Sequence, residues 1–275
     1  PRGSGGQPPP PFAPEPPGAE GERLFRRIWI EPQPRPVFGD GLGPLFNAAS
    51  CAFCHLAEAG AVHPPEPGHG EAPLLVRLSV EGEAGQVLPE PRYGWQLQER
   101  GAGGVPAEGR AVVSWTERPG RYPDGTPYRL REPSLRFADL ADGPLAPRVQ
   151  TSLRFPPALA GLGLLEAVPE AEILRGADPD DADRDGVSGR PNRVTDLRTG
   201  IPALGRFGWK AGQPTLEQQN ATALQEDMGI TSDLLFLHAC RPAQQRCRAS
   251  DAAGGPEITA QELERLTQFT RSLPA

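Results

Sequence analysis

Apolar residues recur at helical spacing in five places along the chain. The clearest is "TAQELERLTQFTRSL", where Leu263, Leu266, Phe269 and Leu273 fall three or four apart. Thr259 precedes it with Glu262 three residues on, the arrangement of a capping box. "TLEQQNATALQEDM" follows Pro214 and ends at Gly229, which predicts a second helix with a glycine stop. "GERLFRRIWI", the segment around residues 47–55 and "PEAEILRGA" give three shorter ones. Between residues 74 and 131 the pattern changes. "PLLVRLSV" and "RAVVSWTERPGRYPDGTPYRLREP" read as short strands around turns, with Asp124-Gly125 as the hairpin signal.

Composition limits what these elements can bury. Pro (35) and Gly (33) together make about a quarter of the 275 residues, so much of the chain is expected in turns and extended loops. Residues 1–21 are Pro/Gly-rich and nearly free of large apolar side chains. They read as a semi-rigid tether or as a disordered tail, leaving residues 22–275 as the folded domain. With 28 basic against 35 acidic residues the formal charge is −7, and no basic cluster offers a nucleic-acid surface. No apolar run is long enough for a transmembrane helix, and no charged-then-apolar signal-peptide pattern is read at the start of the sequence. A chain opening at Pro1 fits a processed mature protein or a trimmed one.

The chemistry concentrates in "NAASCAFCHLAEAG". Cys51 and Cys54 stand two residues apart and His55 follows at once, in a chain of four cysteines and four histidines. Zinc would need a second ligand pair at similar spacing, which Cys240 and Cys247 do not supply. A thioredoxin-like pair would need a βαβ context that the flanks lack. Covalent haem c fits: two thiols add to the two vinyl groups, and the adjoining histidine reaches the iron as proximal ligand. Asn47 or Ser50 is placed to cap a short helix carrying the motif. For the distal face Met228, the single methionine, competes with His63, His69 and His238, and with an open face; a core-filling role competes for Met228 in turn. Trp95, Trp115 and Trp209 are expected to line the pocket or to fill cores.

Two further features stand apart. Asp181, Asp183, Asp185 and Gly186 follow the opening spacing of a calcium loop, with the Val187 carbonyl as a further ligand for Ca2+. Position twelve is Asn192 rather than glutamate, so a solvated acidic turn is the competing reading. Cys240 and Cys247 are expected to close a local disulfide, because haem attachment implies an oxidising periplasmic or extracellular setting.

"DGLGPLFNAASCAFCH", "YGWQLQ", "GLGLLEAVPE", "DPDDADRDGVSGRPNRV" and "LGRFGWKAGQPTLEQQNATALQEDMGITS" together resemble the di-haem oxidoreductase/peroxidase family, distant relatives of bacterial di-haem cytochrome c peroxidases. The resemblance implies two haems, one relaying an electron to the other, and a distal glutamate that assists peroxide cleavage. Glu166, in an apolar matching segment, is the candidate for that acid/base role, with a raised pKa; a capping role or an ion pair with Arg154 or Arg190 is the competing reading. The chain holds one Cys-x-x-Cys-His motif, so it reads as a single-haem version or as a fragment.

The expected fold is therefore mainly α: a cytochrome c-like haem domain with long Pro/Gly-rich loops and a small β-hairpin insertion at about 74–131. The expected function is electron transfer by a single-haem c-type cytochrome in an exported redox assembly, with a redox partner protein or another haem subunit. A haem peroxidase with an open distal site and a structural subunit of a larger complex are the alternatives.

Overall fold

The computed structural model describes residues 18–32, 40–55, 74–83, 85–250 and 255–275. Most of the expected tether, and both His63 and His69, lie outside the described residues. Helix α1 (Ala19–Arg26) begins within the last residues of the segment expected as a tether.

Helices α2 (Cys51–Cys54), α3 (Leu162–Ala167), α4 (Glu170–Arg175), α5 (Leu216–Met228), α6 (Gln245–Ser250) and α7 (Ala260–Ser272) follow in order. Between them run strands β1 (Leu45–Phe46), β2 (Leu75–Glu81), β3 (Val87–Leu88), β4 (Arg100–Gly101), β5 (Arg110–Arg121), β6 (Pro127–Ala138), β7 (Gln150–Arg154), β8 (Arg193–Thr195) and β9 (Pro202–Leu204). The expectation of a mainly α fold is overturned: the chain is 25% helical and 25% strand, in small antiparallel sheets. The physical reason lies in the Pro/Gly-rich middle. Its short apolar runs lack the length to nucleate helices, and they satisfy their backbone by pairing locally.

Two apolar clusters organise the fold. In the first, α1, α5 and α7 bring together Leu24, Phe25, Leu224, Met228, Leu263 and Leu266, among others. Phe25 and Phe269 pack as a tilted ring pair with centroids 5.4 Å apart. Both long helices start where the chain dictates. Thr215 Oγ1 accepts the Gln218 N–H, and Thr259 and Glu262 form the reciprocal capping box expected from sequence. In the second cluster, the alternating Val76 and Leu78 of β2 pack with Tyr93 and Leu97. β2 is the central strand of a three-stranded sheet, β3-β2-β7.

β5 and β6 form one long hairpin closed at Asp124-Gly125. Tyr122 N–H donates to the Thr126 carbonyl, Asp124 Oδ1 accepts the Thr126 N–H, and Gly125 takes φ 86°. Cys240 and Cys247 form the expected disulfide.

The capping box and the first cluster differ in what they contribute. Thr259→Ala should lower unfolding free energy by about 1 kcal/mol. Leu263→Ala, at a fully buried position, should lower it by about 3 kcal/mol. Chemical denaturation midpoints check both, and equal losses would contradict this account of α7.

Candidate functional site

The segment leading to the Cys-x-x-Cys-His motif is anchored through its backbone to the end of α5. Helix α5 ends on Gly229 in the left-handed region (φ 65°), and the Gly229 and Ile230 N–H groups bond back to the Gln225 and Leu224 carbonyls. That leaves the Asp227 and Met228 carbonyls without helical partners. Asn47 and Ala48 donate their N–H groups to Asp227 O at 2.8 and 3.0 Å, and Gly43 donates to Met228 O at 3.0 Å. The approach is so close that a Cβ on Gly43 would stand 2.4 Å from the Gly229 backbone. β1 then pairs with β4, and the Trp29 N–H donates to the Ala49 carbonyl.

α2 begins at a serine cap. Ser50 Oγ accepts the Ala52 N–H at 3.3 Å and donates to the Phe25 carbonyl at 3.3 Å. Of the two expected caps it is therefore Ser50 that serves. Asn47 is used differently: its Nδ2 donates to Leu97 O and Gln98 Oε1, and its Oδ1 accepts the Glu99 N–H.

Cys51 and Cys54 are unpaired with one another. Burial, reinforced by the nearby Asp227 carboxylate, pushes the Cys51 thiol up to about 12 and that of Cys54 up to about 11. Such thiols are poor thiolates, which disfavours disulfide exchange. A neutral thioether carries no desolvation cost in the same place. Burial also lowers the pKa of His55, partly offset by the Pro157 carbonyl, so the ring is neutral at physiological pH. Its Nδ1 is enclosed without a hydrogen-bond partner, and an orphaned buried nitrogen asks for an explanation. The residues fit covalent haem: two uncharged thiols, and a neutral imidazole at the position next to the second.

Among the remaining predicted residues, Met228 is 2% exposed within the first apolar cluster, against which Cys51 also packs. His238 is half-buried, its Nε2 3.7 Å from Glu257 Oε1. Trp209, 61% exposed, donates from Nε1 to the Phe155 carbonyl and lies under the Arg154 guanidinium. Glu166 accepts the Leu216 N–H at the start of α5 and pairs with Arg271 at 2.5 Å. Burial works to raise its pKa, yet those bonds and the Arg271 and Arg206 charges bring it below the ordinary range. The raised value expected for Glu166 is thus corrected.

Burial raises Asp142, pushes Asp227 up to about 6 and acts most strongly on Glu108, which sequence reasoning passed over. It is 3% exposed and borders a cleft of about 190 Å³. The cleft is also lined by Trp95, Gln96, Gln98, His238 and the Cys240–Cys247 disulfide. Glu108 Oε2 accepts the Gln98 N–H at 2.6 Å, and Oε1 accepts from Gln244 Nε2. Burial pushes it up to about 8, only partly offset by those two donors. Because the Gln98 side chain also meets Asn47 and the Glu226 carbonyl, one hydrogen-bonded chain runs from the motif's approach segment to the disulfide loop. Nothing in "GVPAEGR" marks this acid, since its burial comes from residues distant in sequence.

The acidic loop also differs from expectation. The carboxylates that converge within 4.8 Å are Asp178, Asp181 and Asp183, without Asp185. Asp181, Asp183 and Asp185 accept the Gly186, Asp185 and Val187 N–H groups. The loop therefore caps its own backbone, and Val187 is 65% exposed.

Two variants test this geometry. Gly43→Ala should cost about 3 kcal/mol by overpacking against Gly229; a denaturation midpoint equal to that of the parent would contradict the contact. For Glu108 the folded pKa of about 8 exceeds the ordinary 4.5. The folded state then holds an extra proton between those values, so stability is full below about 4.5 and declines as pH rises toward 8. Glu108→Gln should remove that part of the decline in melting temperature between about pH 5 and 8. An unchanged pH slope would contradict a buried, protonated Glu108.

Among the described residues no helix is long and apolar enough to cross a membrane. No curated protein and no solved structure matches the chain. The family model described as "di-haem oxidoreductase, putative peroxidase" matches residues 19–240. That span takes in the Cys-x-x-Cys-His motif, Glu108 and the whole of α5, and the chain belongs to the di-haem oxidoreductase family.

Proposed function

We propose that this chain carries one haem c, thioether-linked through Cys51 and Cys54 with His55 as axial ligand, and exchanges electrons with a second redox centre. That centre belongs to a redox partner protein or another haem subunit. The observation that carries the reading is the enclosed, neutral His55, with an orphaned Nδ1, beside two uncharged free thiols. When bound, haem supplies one-electron chemistry at its iron.

The chain's own residues supply position and surroundings. Ser50 starts the motif helix, and the Asp227 and Met228 carbonyls fix its approach. Trp209 offers an exposed aromatic surface. It is hydrogen-bonded to Phe155, two residues before the Pro157 carbonyl that meets the His55 ring. A partner docking there would stand a short path from the imidazole. The Cys240–Cys247 disulfide supports an exported, oxidising setting.

A second reading, reaction with peroxide, is favoured by Glu108. A buried carboxyl that titrates near 8 holds a proton at neutral pH and can release it at modest cost.

Optical and electron paramagnetic resonance spectra with and without hydrogen peroxide separate the two. Electron transfer predicts a low-spin, six-coordinate haem indifferent to peroxide. The peroxidase reading predicts a high-spin ferric haem whose reaction slows about a hundredfold or more in Glu108→Gln. A purified protein lacking any haem spectrum, from cells able to attach haem c, would overturn both.

A further inference from the structure

The β5–β6 hairpin is unexplained by haem chemistry. Its two twelve-residue strands pair from Arg110↔Ala138 to Arg121↔Pro127. Among the described residues neither strand pairs with any other. At about 3.3 Å per residue the ribbon is about 40 Å long, and an isolated two-stranded ribbon is marginal in water. Only its base is anchored: Ala111, Leu135 and Phe137 pack on the second apolar cluster.

The register places Ala111, Val113 and Trp115 on the same face as Phe137, Leu135 and Pro133, with Glu117, Arg121, Arg129 and Arg131 beyond them on that face. This apolar strip continues outward past the point where the core ends. Trp115 is 37% exposed there, with the Arg131 guanidinium 5.7 Å from its ring. Pro119 and Pro133 remove N–H donors from the strands, which makes the edges poor templates for strand addition. Contact through the face is what remains.

Charge identifies the occupant. Residues 110–138 hold six arginines against three acids, a net +3, while the whole chain is −7, leaving −10 on the rest. Glu117 and Glu132 each already pair with an arginine of the same hairpin, so the excess is arginine. The complementary feature is the acidic segment 170–185, with seven acids against two arginines, a net −5. Glu170, Glu172, Asp180, Asp183 and Asp185 are exposed along it. The planar guanidinium fork suits clustered carboxylates.

We infer that the hairpin is a docking arm for a second copy of this chain: its arginine-rich, Trp115-bearing face lies against the acidic 170–185 segment of the partner, reciprocally across a twofold axis. The two identical contacts close the assembly at two chains. They also give the acidic loop a role that needs no metal. The inference is independent of how the haem site works.

Light scattering and sedimentation of the full chain test it. At about 50 mM salt the mass should be that of two 29.4 kDa polypeptides with their cofactor. At about 500 mM salt it should fall toward one. Arg121→Glu/Arg129→Glu, both on the Trp115 face of the arm, should give single chains at low salt, and so should Asp180→Arg/Asp183→Arg in the acidic segment. Mixing the two variants restores both contacts, one as in the parent and one with its signs exchanged, so a two-chain species should return; this also establishes that each variant is folded. A parent protein that is single-chain at low salt, variants that stay paired, or a mixture that does not associate would each overturn the inference.

Discussion

The C-terminus of α5 is the interaction on which the rest depends. A helix leaves its last carbonyls unsatisfied, and here the Asp227 and Met228 carbonyls take the N–H groups of Asn47, Ala48 and Gly43. The Gly43–Gly229 approach leaves no room for a side chain at position 43. A segment rich in glycine, and too short to fold by itself, is thereby fixed to one of the two longest helices. Everything the Cys-x-x-Cys-His motif does follows from where that contact sets it: α2 against α1, Ser50 on the Phe25 carbonyl, and His55 enclosed beside Pro157.

The same end of α5 unites the site with its surroundings. Gln96 reaches Asp227 and the Glu226 carbonyl, Gln98 reaches that carbonyl and Asn47, and Glu108 binds Gln98. Polar residues from the 96–108 stretch thus line one side of the helix end while the motif occupies another. A carboxyl buried among neutral donors stays protonated at neutral pH, whereas one tied to arginine, as Glu166 is to Arg271, stays ionised. Which of the two is suited to proton transfer is decided by these partners and not by local sequence.

What was legible in the sequence follows from range. The capping box at Thr259, the glycine stop at Gly229, the Asp124-Gly125 turn and the Cys240–Cys247 bridge are all set by neighbours within a few residues. The reading proposed for Cys51, Cys54 and His55 rests on spacing of the same short range. The strands β1, β4, β7, β8 and β9 were not, because each is two to five residues long and exists only through its partner. Glu108 was missed and Glu166 overvalued because burial and ion pairing depend on contacts with Gln244 and Arg271, each more than a hundred residues away. The overestimate of helix came from extending the strongest periodic segments to a chain whose middle pairs as small sheets.

The central claim is covalent attachment of haem at one short helix held by α5. Proteolytic digestion of the purified protein, followed by mass analysis of the peptide containing Cys51–His55, tests it most directly. The account predicts that this peptide carries the mass of one haem and that neither Cys51 nor Cys54 reacts with a thiol alkylating reagent. Recovery of the peptide at its bare mass with both cysteines alkylated, from cells competent to attach haem c, would contradict it.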